Sequence, residues 1–131
     1  MRRLSLIVPM VTLMLVMSAC GGSSGLSEAQ LAYKDGLDAS IQGLISEAIS
    51  HYDRAIQLDP DTAVYYRNRG VAYNKLGQHQ NAITDYTKAI QLDAFIASAY
   101  ANRGSAYETL GQYSLADADE TTACSLDSWY C

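Results

Sequence analysis

The sequence has few of the residues that catalysis and metal binding usually need. It contains only two histidines, His51 and His79, and neither has partners at a metal-ligand spacing. It carries no glycine-rich phosphate loop and no nucleophile motif. The sequence therefore predicts a protein that is not an enzyme and needs neither a metal nor another cofactor.

Positive charge is also scarce. The chain has 9 Lys and Arg against 14 Asp and Glu, which gives a formal net charge of −5 and a pI near 4.7. Nucleic-acid binding depends on clustered cations that neutralise phosphates, so this composition argues against a nucleic-acid partner. With 49% hydrophobic and 18% charged residues, the chain has the composition of an ordinary folded domain.

A long uncharged run occurs only at the start of the chain. Arg2 and Arg3 precede the run from Leu4 to Ala19, which closes on small residues, as in a secretory signal. The run is about 16 residues long and contains Pro9, whereas a membrane-spanning helix needs roughly 20 apolar residues. A signal peptide is therefore favoured over a permanent transmembrane helix, which stays as the alternative.

The end of this run, from Met17 to Cys20, resembles the bacterial lipoprotein signal, although Met17 stands where Leu is usual. The resemblance implies a signal peptide at residues 1–19 and a lipidated Cys20. It places the protein in the bacterial cell envelope, extracytoplasmic and anchored to the outer or plasma membrane. Residues 20–28 then form the lipidated end and a flexible Gly/Ser tether. Ordinary signal cleavage that leaves Cys20 free is the alternative.

The remainder of the chain repeats with a period of 34 residues, so that Tyr66 aligns with Tyr100 and Tyr73 with Tyr107. A fixed period of this size indicates stacked supersecondary units. A weaker copy precedes these two at the same spacing, which makes three repeats. Small residues occupy the same position in all three: Gly36, Gly70 and Gly104; Gly43, Gly77 and Gly111; Ala48, Ala82 and Ala116; Ala55, Ala89 and Ala123.

Within one unit the apolar residues have helical spacing on both sides of Gly77, which predicts two helices per unit. Ser27 and Gln30 form a capping-box pattern that predicts the start of the first helix. A 34-residue helix pair with these Tyr, Gly and Ala columns resembles the tetratricopeptide repeat. The resemblance implies an all-α solenoid of three tetratricopeptide-like helix pairs in residues 29–131, with repeats at about 29–62, 63–96 and 97–130.

Two further features predict contacts inside this array. Arg69 and Arg103 share a column, as do Asp85 and Asp119, which suggests an ion pair between the two helices of a unit. Cys124 and Cys131 lie at the chain end, where a disulfide would fasten the end to the last helix in an oxidising compartment. The alternative is that Cys124 is simply a small buried residue.

In the family that the repeats resemble, the first helices line a concave groove that binds a peptide or a partner's helix. Asn68 and Asn102 occupy a column that in many members hydrogen-bonds the ligand backbone. The third unit lacks a matching cation, so the clamp that some relatives use for a C-terminal carboxylate is incomplete, and recognition of chaperone tails is not expected. The candidate partner-binding residues are Lys34, Arg67, Asn68, Val71, Lys75 and Asn102.

These patterns predict a membrane-anchored adaptor that binds another protein or a peptide, with a role in envelope assembly or maintenance. Two alternatives remain at this point. One is a structural lipoprotein that associates with itself as a homo-oligomer, and the other is a non-catalytic accessory subunit of an envelope enzyme.

Overall fold

A computed structural model of the chain describes residues 25–131. The predicted signal peptide and Cys20 lie outside the described residues. Within the described range the chain forms six helices and no strand, followed by a 3₁₀ turn at Ser128–Tyr130. The helices are α1 (Glu28–Ile41), α2 (Ile45–Leu58), α3 (Ala63–Lys75), α4 (His79–Leu92), α5 (Ala97–Thr109) and α6 (Tyr113–Leu126).

Local sequence determines where the helices begin and end. The capping box is confirmed, because the Ser27 side chain accepts from the Gln30 amide at 3.2 Å and the Gln30 side chain accepts from the Ser27 amide at 2.8 Å. The break at Gly77 is also confirmed, with φ of 74°. Gly43 and Gly111 adopt the same left-handed conformation, which residues with a Cβ rarely tolerate.

The three helix pairs stack side by side as a solenoid, which confirms the predicted all-α fold. Each helix packs mainly on its neighbours in sequence, and α3 also touches α5. Ala48, Ala55, Ala82 and Ala89 are fully buried where the helices approach. Within the described residues, none of the helices is both long enough and apolar enough to cross a bilayer.

A tyrosine ring packs on a glycine in each of the first two pairs. A Cβ added to Gly36 would lie 2.5 Å from Cε1 of Tyr52, and one added to Gly70 would lie 2.7 Å from Cε1 of Tyr86. Both tyrosines are almost completely buried. Gly104 of the third pair is less crowded, because a Cβ there would first meet a backbone oxygen at 3.3 Å.

The predicted ion pairs between helices are confirmed in the second and third pairs. Arg69 donates to both carboxylate oxygens of Asp85, at 2.8 and 2.7 Å, and Arg103 donates to both oxygens of Asp119, at 2.7 and 2.8 Å. Both aspartates are buried. The hydrogen bonds with Asp85 raise the pKa of Arg69 further above its ordinary value. Each pair is therefore a charged, bidentate link inside the array.

The same arginines also join neighbouring repeats. Nη1 of Arg69 donates to Asp53 of the preceding repeat at 2.7 Å, and Nη1 of Arg103 donates to Thr87 of its preceding repeat at 3.0 Å. Tyrosine rings flank each guanidinium, with centroids 5.7 and 5.8 Å from Arg69 and 5.6 and 5.8 Å from Arg103. In the first repeat the column holds Asp35, so the series of links begins at the second repeat.

The C-terminal end of the array is polar and tied back to α6. Asp117 and Glu120 are exposed in the columns that hold the buried Ile83 and Tyr86 one repeat earlier. In the structure Cys124 and Cys131 form a disulfide, and their Cα atoms are 4.7 Å apart. Among the described residues, no additional capping helix follows the last repeat.

The glycine contacts predict different outcomes for the same substitution. Gly70→Ala should lower the free energy of unfolding by about 1–3 kcal/mol, because the new methyl group overlaps the Tyr86 ring. Gly104→Ala should change it by less than about 1 kcal/mol, because the gain in helix propensity offsets a small shift. Urea unfolding followed by circular dichroism measures both. Equal losses at the two positions would contradict this account of the packing.

The link between Arg69 and Asp85 predicts strong coupling. Arg69→Met should cost about 3–5 kcal/mol, because it leaves a buried carboxylate without its cation. The double variant with Asp85→Asn should lose less than the sum of the single losses, by about 0.5–3 kcal/mol. The exposed pair of Lys34 and Asp38 is the control, and its coupling should be much weaker because solvent screens the two charges. Additive losses for Arg69 and Asp85 would refute the ion pair.

Candidate functional site

The first helices of the three repeats, α1, α3 and α5, present the predicted groove. Four of the candidate residues lie on α3, and the other two lie on α1 and α5. The structure links three of the α3 residues to side chains of the adjacent repeats by hydrogen bonds. The contacts are Asn68 with Tyr33, Arg67 with Ser98, and Lys75 with Ser40.

Asn68 is half-buried between the first and second repeats. Its Nδ2 donates to the hydroxyl of Tyr33 at 2.6 Å. Tyr33 in turn packs against Tyr65 and Tyr52, with ring centroids 4.9 and 5.9 Å away. The amide of Asn68 is therefore held in one orientation, with its carbonyl oxygen and one N–H left for a ligand backbone.

Arg67 is the most unusual residue of this surface. It is half-buried, and its Nη1 donates to the Ser98 hydroxyl at 3.1 Å. Its Nε is buried and has no hydrogen-bond partner, and no carboxylate of residues 25–131 lies within ion-pair distance. A buried donor without a partner costs about 1–3 kcal/mol, so the fold gains little from this cation.

Two buried tyrosines lie close to the guanidinium of Arg67. Burial raises the pKa of Tyr52 and of Tyr86, and the nearby positive charge of Arg67 opposes this change in both. Their phenols therefore stay neutral at physiological pH and cannot serve as counterions. The charge of Arg67 is left unneutralised within the part of the chain that the structure describes.

The other candidate residues differ in their exposure and in the contacts that they make within the fold. Lys34 is exposed and forms an ion pair with Asp38 at 2.7 Å, one turn further along α1. Val71 packs against the core cluster around Ile83, so only part of its side chain faces the groove. Lys75 is exposed and only weakly bonded to Ser40, at 3.5 Å. Asn102 is half-buried on α5.

Charge is unevenly distributed along the array. The second repeat carries four cations, Arg67, Arg69, Lys75 and Lys88, against two carboxylates, Asp85 and Asp93. On the third repeat the groove side carries the exposed Glu108. α3, the groove helix of this repeat, carries no carboxylate, and because Arg69 is already paired with Asp53 and Asp85, the positive charge in the middle of the groove comes from Arg67 and Lys75.

Comparison with known proteins decides the family. Three tetratricopeptide models match the chain, one described as TPR repeat at residues 41–77 and two as tetratricopeptide repeat at residues 63–94 and 97–128. The Arabidopsis OM64 TPR domain is 34% identical, with a TM-score of 0.76 over 77% of this chain and 84% of that one. The chain belongs to the tetratricopeptide-repeat family.

Other solved tetratricopeptide domains of similar structure hold peptides. The second TPR domain of human RPAP3, in complex with the HSP70 peptide SGPTIEEVD, is 34% identical, with a TM-score of 0.73 over 76% of this chain and 84% of that one. The TPR2B domain of yeast Sti1, in a pHsp70 complex, is 28% identical, with a TM-score of 0.75 over 76% and 80%. This tetratricopeptide array is therefore a protein-interaction module, of a type that is typically not catalytic.

Sequence reasoning did not single out Tyr33 as the partner of Asn68. A signal was present, because Tyr33 shares its tetratricopeptide column with Arg67 and Ala101, and Asn68 shares its column with Asn102. A contact between these two columns of adjacent repeats would place Asn102 beside Arg67. In the structure Tyr33 and Asn68 make this contact, whereas Arg67 donates to Ser98.

The histidines supply no alternative site. Nδ1 of His79 is 2.7 Å from Oδ1 of Asn74, so the ring is tied to the preceding helix of its own tetratricopeptide repeat. His79 also lines a shallow depression at the turn around Gly77. Across residues 25–131, no group of three or more His, Cys, Asp or Glu side chains is placed to hold a metal ion.

The contrast between two nearby arginines predicts opposite effects on stability. Arg67→Met should leave the free energy of unfolding within about 1 kcal/mol of its original value, because it removes an unpaired, partly buried cation. Arg69→Met, on the same tetratricopeptide helix, should cost several times more. Urea unfolding of the two variants tests this, and an equally large loss for Arg67→Met would assign that residue to the fold.

Proposed function

We propose that this protein is a membrane-anchored adaptor that binds an acidic segment of a partner protein in its tetratricopeptide groove. The single observation that carries the proposal is the unpaired charge of Arg67 at the centre of the groove. A carboxylate of the ligand would supply the counterion that the described part of the chain lacks. Asn68, held by Tyr33, would hydrogen-bond the ligand backbone beside it.

The charge distribution limits the kind of ligand. The HSP70 peptide held by the RPAP3 domain ends in Glu, Glu, Val and Asp, and this chain offers cations mainly in its second repeat. Glu108 would repel an acidic group at the third repeat. We therefore favour an internal acidic segment, with its carboxylate over Arg67 and Lys75, over a chain end held by a complete carboxylate clamp.

The anchor is proposed from the start of the sequence and from the disulfide near its end. Arg2, Arg3, the uncharged run and Cys20 fit a lipoprotein signal, and a disulfide such as that of Cys124 and Cys131 is typical of oxidising compartments outside the cytoplasm. Together they support a lipid-anchored protein of the bacterial envelope. A Cys20→Ser variant that still partitions fully with membranes would contradict the lipid anchor.

End-to-end self-association is less well supported. The first repeat has Asp35 where the later repeats have the linking arginines, and the C-terminal end carries Asp117 and Glu120. A second copy stacked on either end would place carboxylates near carboxylates. Sedimentation of the protein over a range of concentrations should therefore show a monomer, and a concentration-dependent dimer would favour the structural alternative.

Photo-crosslinking in cells tests the groove. A crosslinking residue in place of Ser105, which is exposed on α5 in the column of Val71, should capture the partner. Arg67→Met in the same background should reduce capture about tenfold or more, because a charged hydrogen bond contributes about 1.5–3 kcal/mol. Asn68→Ala with Asn102→Ala should reduce it as well, while the helical melt stays nearly unchanged.

The control for this experiment is Arg54→Met, which removes an equally long cation from the exposed face of α2. Arg54 pairs with Glu28 and lies away from the groove, so capture should be unaffected. Equal capture by the Arg67 and Arg54 variants would remove the groove from consideration. A synthetic peptide matching the captured segment should compete, and its Glu-to-Gln version should compete more weakly.

A further inference from the structure

One edge of the solenoid has no role in the groove. The first helix of each repeat begins there and the second helix ends there, so the loops at residues 59–62 and 93–96 and the C-terminal segment at 127–130 lie together. We refer to these three segments and the start of α1 as the inter-repeat edge. The chain enters the described range at this edge, because residue 25 directly precedes α1.

The three segments have the same local geometry. In each, a carboxylate oxygen of an aspartate accepts a hydrogen bond from the backbone amide two residues later. The bonds join Asp59 with Asp61 at 3.3 Å, Asp93 with Phe95 at 3.0 Å, and Asp127 with Trp129 at 2.9 Å. The residue two positions after the aspartate is therefore held at the same place in every repeat.

The two later segments place large aromatic side chains at that position. Phe95 is 82% exposed and Trp129 is 86% exposed, and Leu26 at the start of α1 is 53% exposed. None of the three belongs to a core cluster of the described residues. Both aromatic side chains project from one edge and do not pack on the protein. They form an apolar surface that a membrane or another molecule could cover.

We propose that the inter-repeat edge rests on a lipid surface, with Phe95 and Trp129 inserted at the level of the headgroups. This inference rests on the lipid anchor of the proposed function. The sequence between Cys20 and Leu26 predicts a tether that reaches roughly 12 Å, so the anchored end would hold this edge near the bilayer. Tryptophan and other aromatic side chains favour the membrane interface, and shallow insertion adds a second attachment to the acyl chains.

The charge of the edge selects the kind of lipid. Asp59, Asp61, Asp93 and Asp127 lie in the same segments, although three of them use an oxygen to hold the backbone of their loop. These carboxylates would be repelled by anionic headgroups. The lipid surface that fits the edge is therefore zwitterionic, and insertion should weaken as the fraction of anionic lipid rises.

In this arrangement the disulfide would help to hold Trp129 in position. It joins Cys131 to Cys124 on α6 and so encloses Trp129 in a short closed segment. Without it, the position of Trp129 would depend on the 3₁₀ turn and on the hydrogen bond from its amide to Asp127. The cross-link therefore keeps the outer aromatic in line with Phe95.

Trp129 is the only tryptophan of the chain, so its fluorescence reports on the edge directly. The full-length protein, produced and processed in a bacterial host, is purified from membranes and reconstituted into phosphatidylcholine vesicles. We expect a blue-shifted emission and quenching by lipids brominated near the headgroup. Phe95→Ser should reduce the quenching by roughly half or more, since the edge loses one of its two inserted side chains. Added phosphatidylglycerol should also reduce it.

Tyr113→Ser is the matched control, because Tyr113 is 64% exposed at the opposite edge of the solenoid. Its quenching should equal that of the original protein. Vesicle flotation, followed in parallel, separates the two proposals. A protein that floats while Trp129 keeps its solution emission overturns the edge contact and leaves the anchor standing. A protein with an unmodified Cys20 that fails to float overturns both, while capture in the groove is judged independently.

Discussion

The packing of a tyrosine ring on a glycine sets the separation of the two helices in the first and second repeats. A side chain of any size at Gly36 or Gly70 would overlap the ring of Tyr52 or Tyr86. At this separation the buried alanines of the two helices fill the interface between them. Arg69 on α3 can then reach both carboxylate oxygens of Asp85 on α4. In the third repeat Glu120 stands in the tyrosine column, and a Cβ on Gly104 would meet its nearest neighbour at 3.3 Å.

The two arginines of α3 differ in where their partners lie. Arg69 has two carboxylates and two flanking rings, and all of these belong to the array. Arg67, two residues earlier, faces the groove with one hydroxyl partner and an unpaired Nε. Residues selected for stability have their partners within the fold, whereas an unmatched charge on a concave surface is typical of a residue whose partner is another molecule.

The sequence alone was sufficient to predict the helix pairs, the alignment of the repeats and the ion pairs of Arg69 and Arg103. These features depend on residues that recur at one spacing, so one repeat predicts the next. The contact between Asn68 and Tyr33 joins different columns of neighbouring repeats, and it depends on the stacking angle, which no column encodes. The exposure of Phe95 could not be predicted from the sequence either. An apolar residue before a helix can pack on that helix or project into solvent, and the sequence does not distinguish the two.

The arrangement of contacts also has a consequence for how the chain reaches its native state. Almost every contact between helices joins neighbours in sequence, so the contact order is low, and proteins of this kind fold quickly. Repeats of a solenoid form one after another, each on the surface of the last. The native structure can therefore spread from repeat to repeat, starting wherever the first contacts form. The cross-link at the C-terminus, which needs both Cys124 and Cys131, can close only when the last helix has arrived.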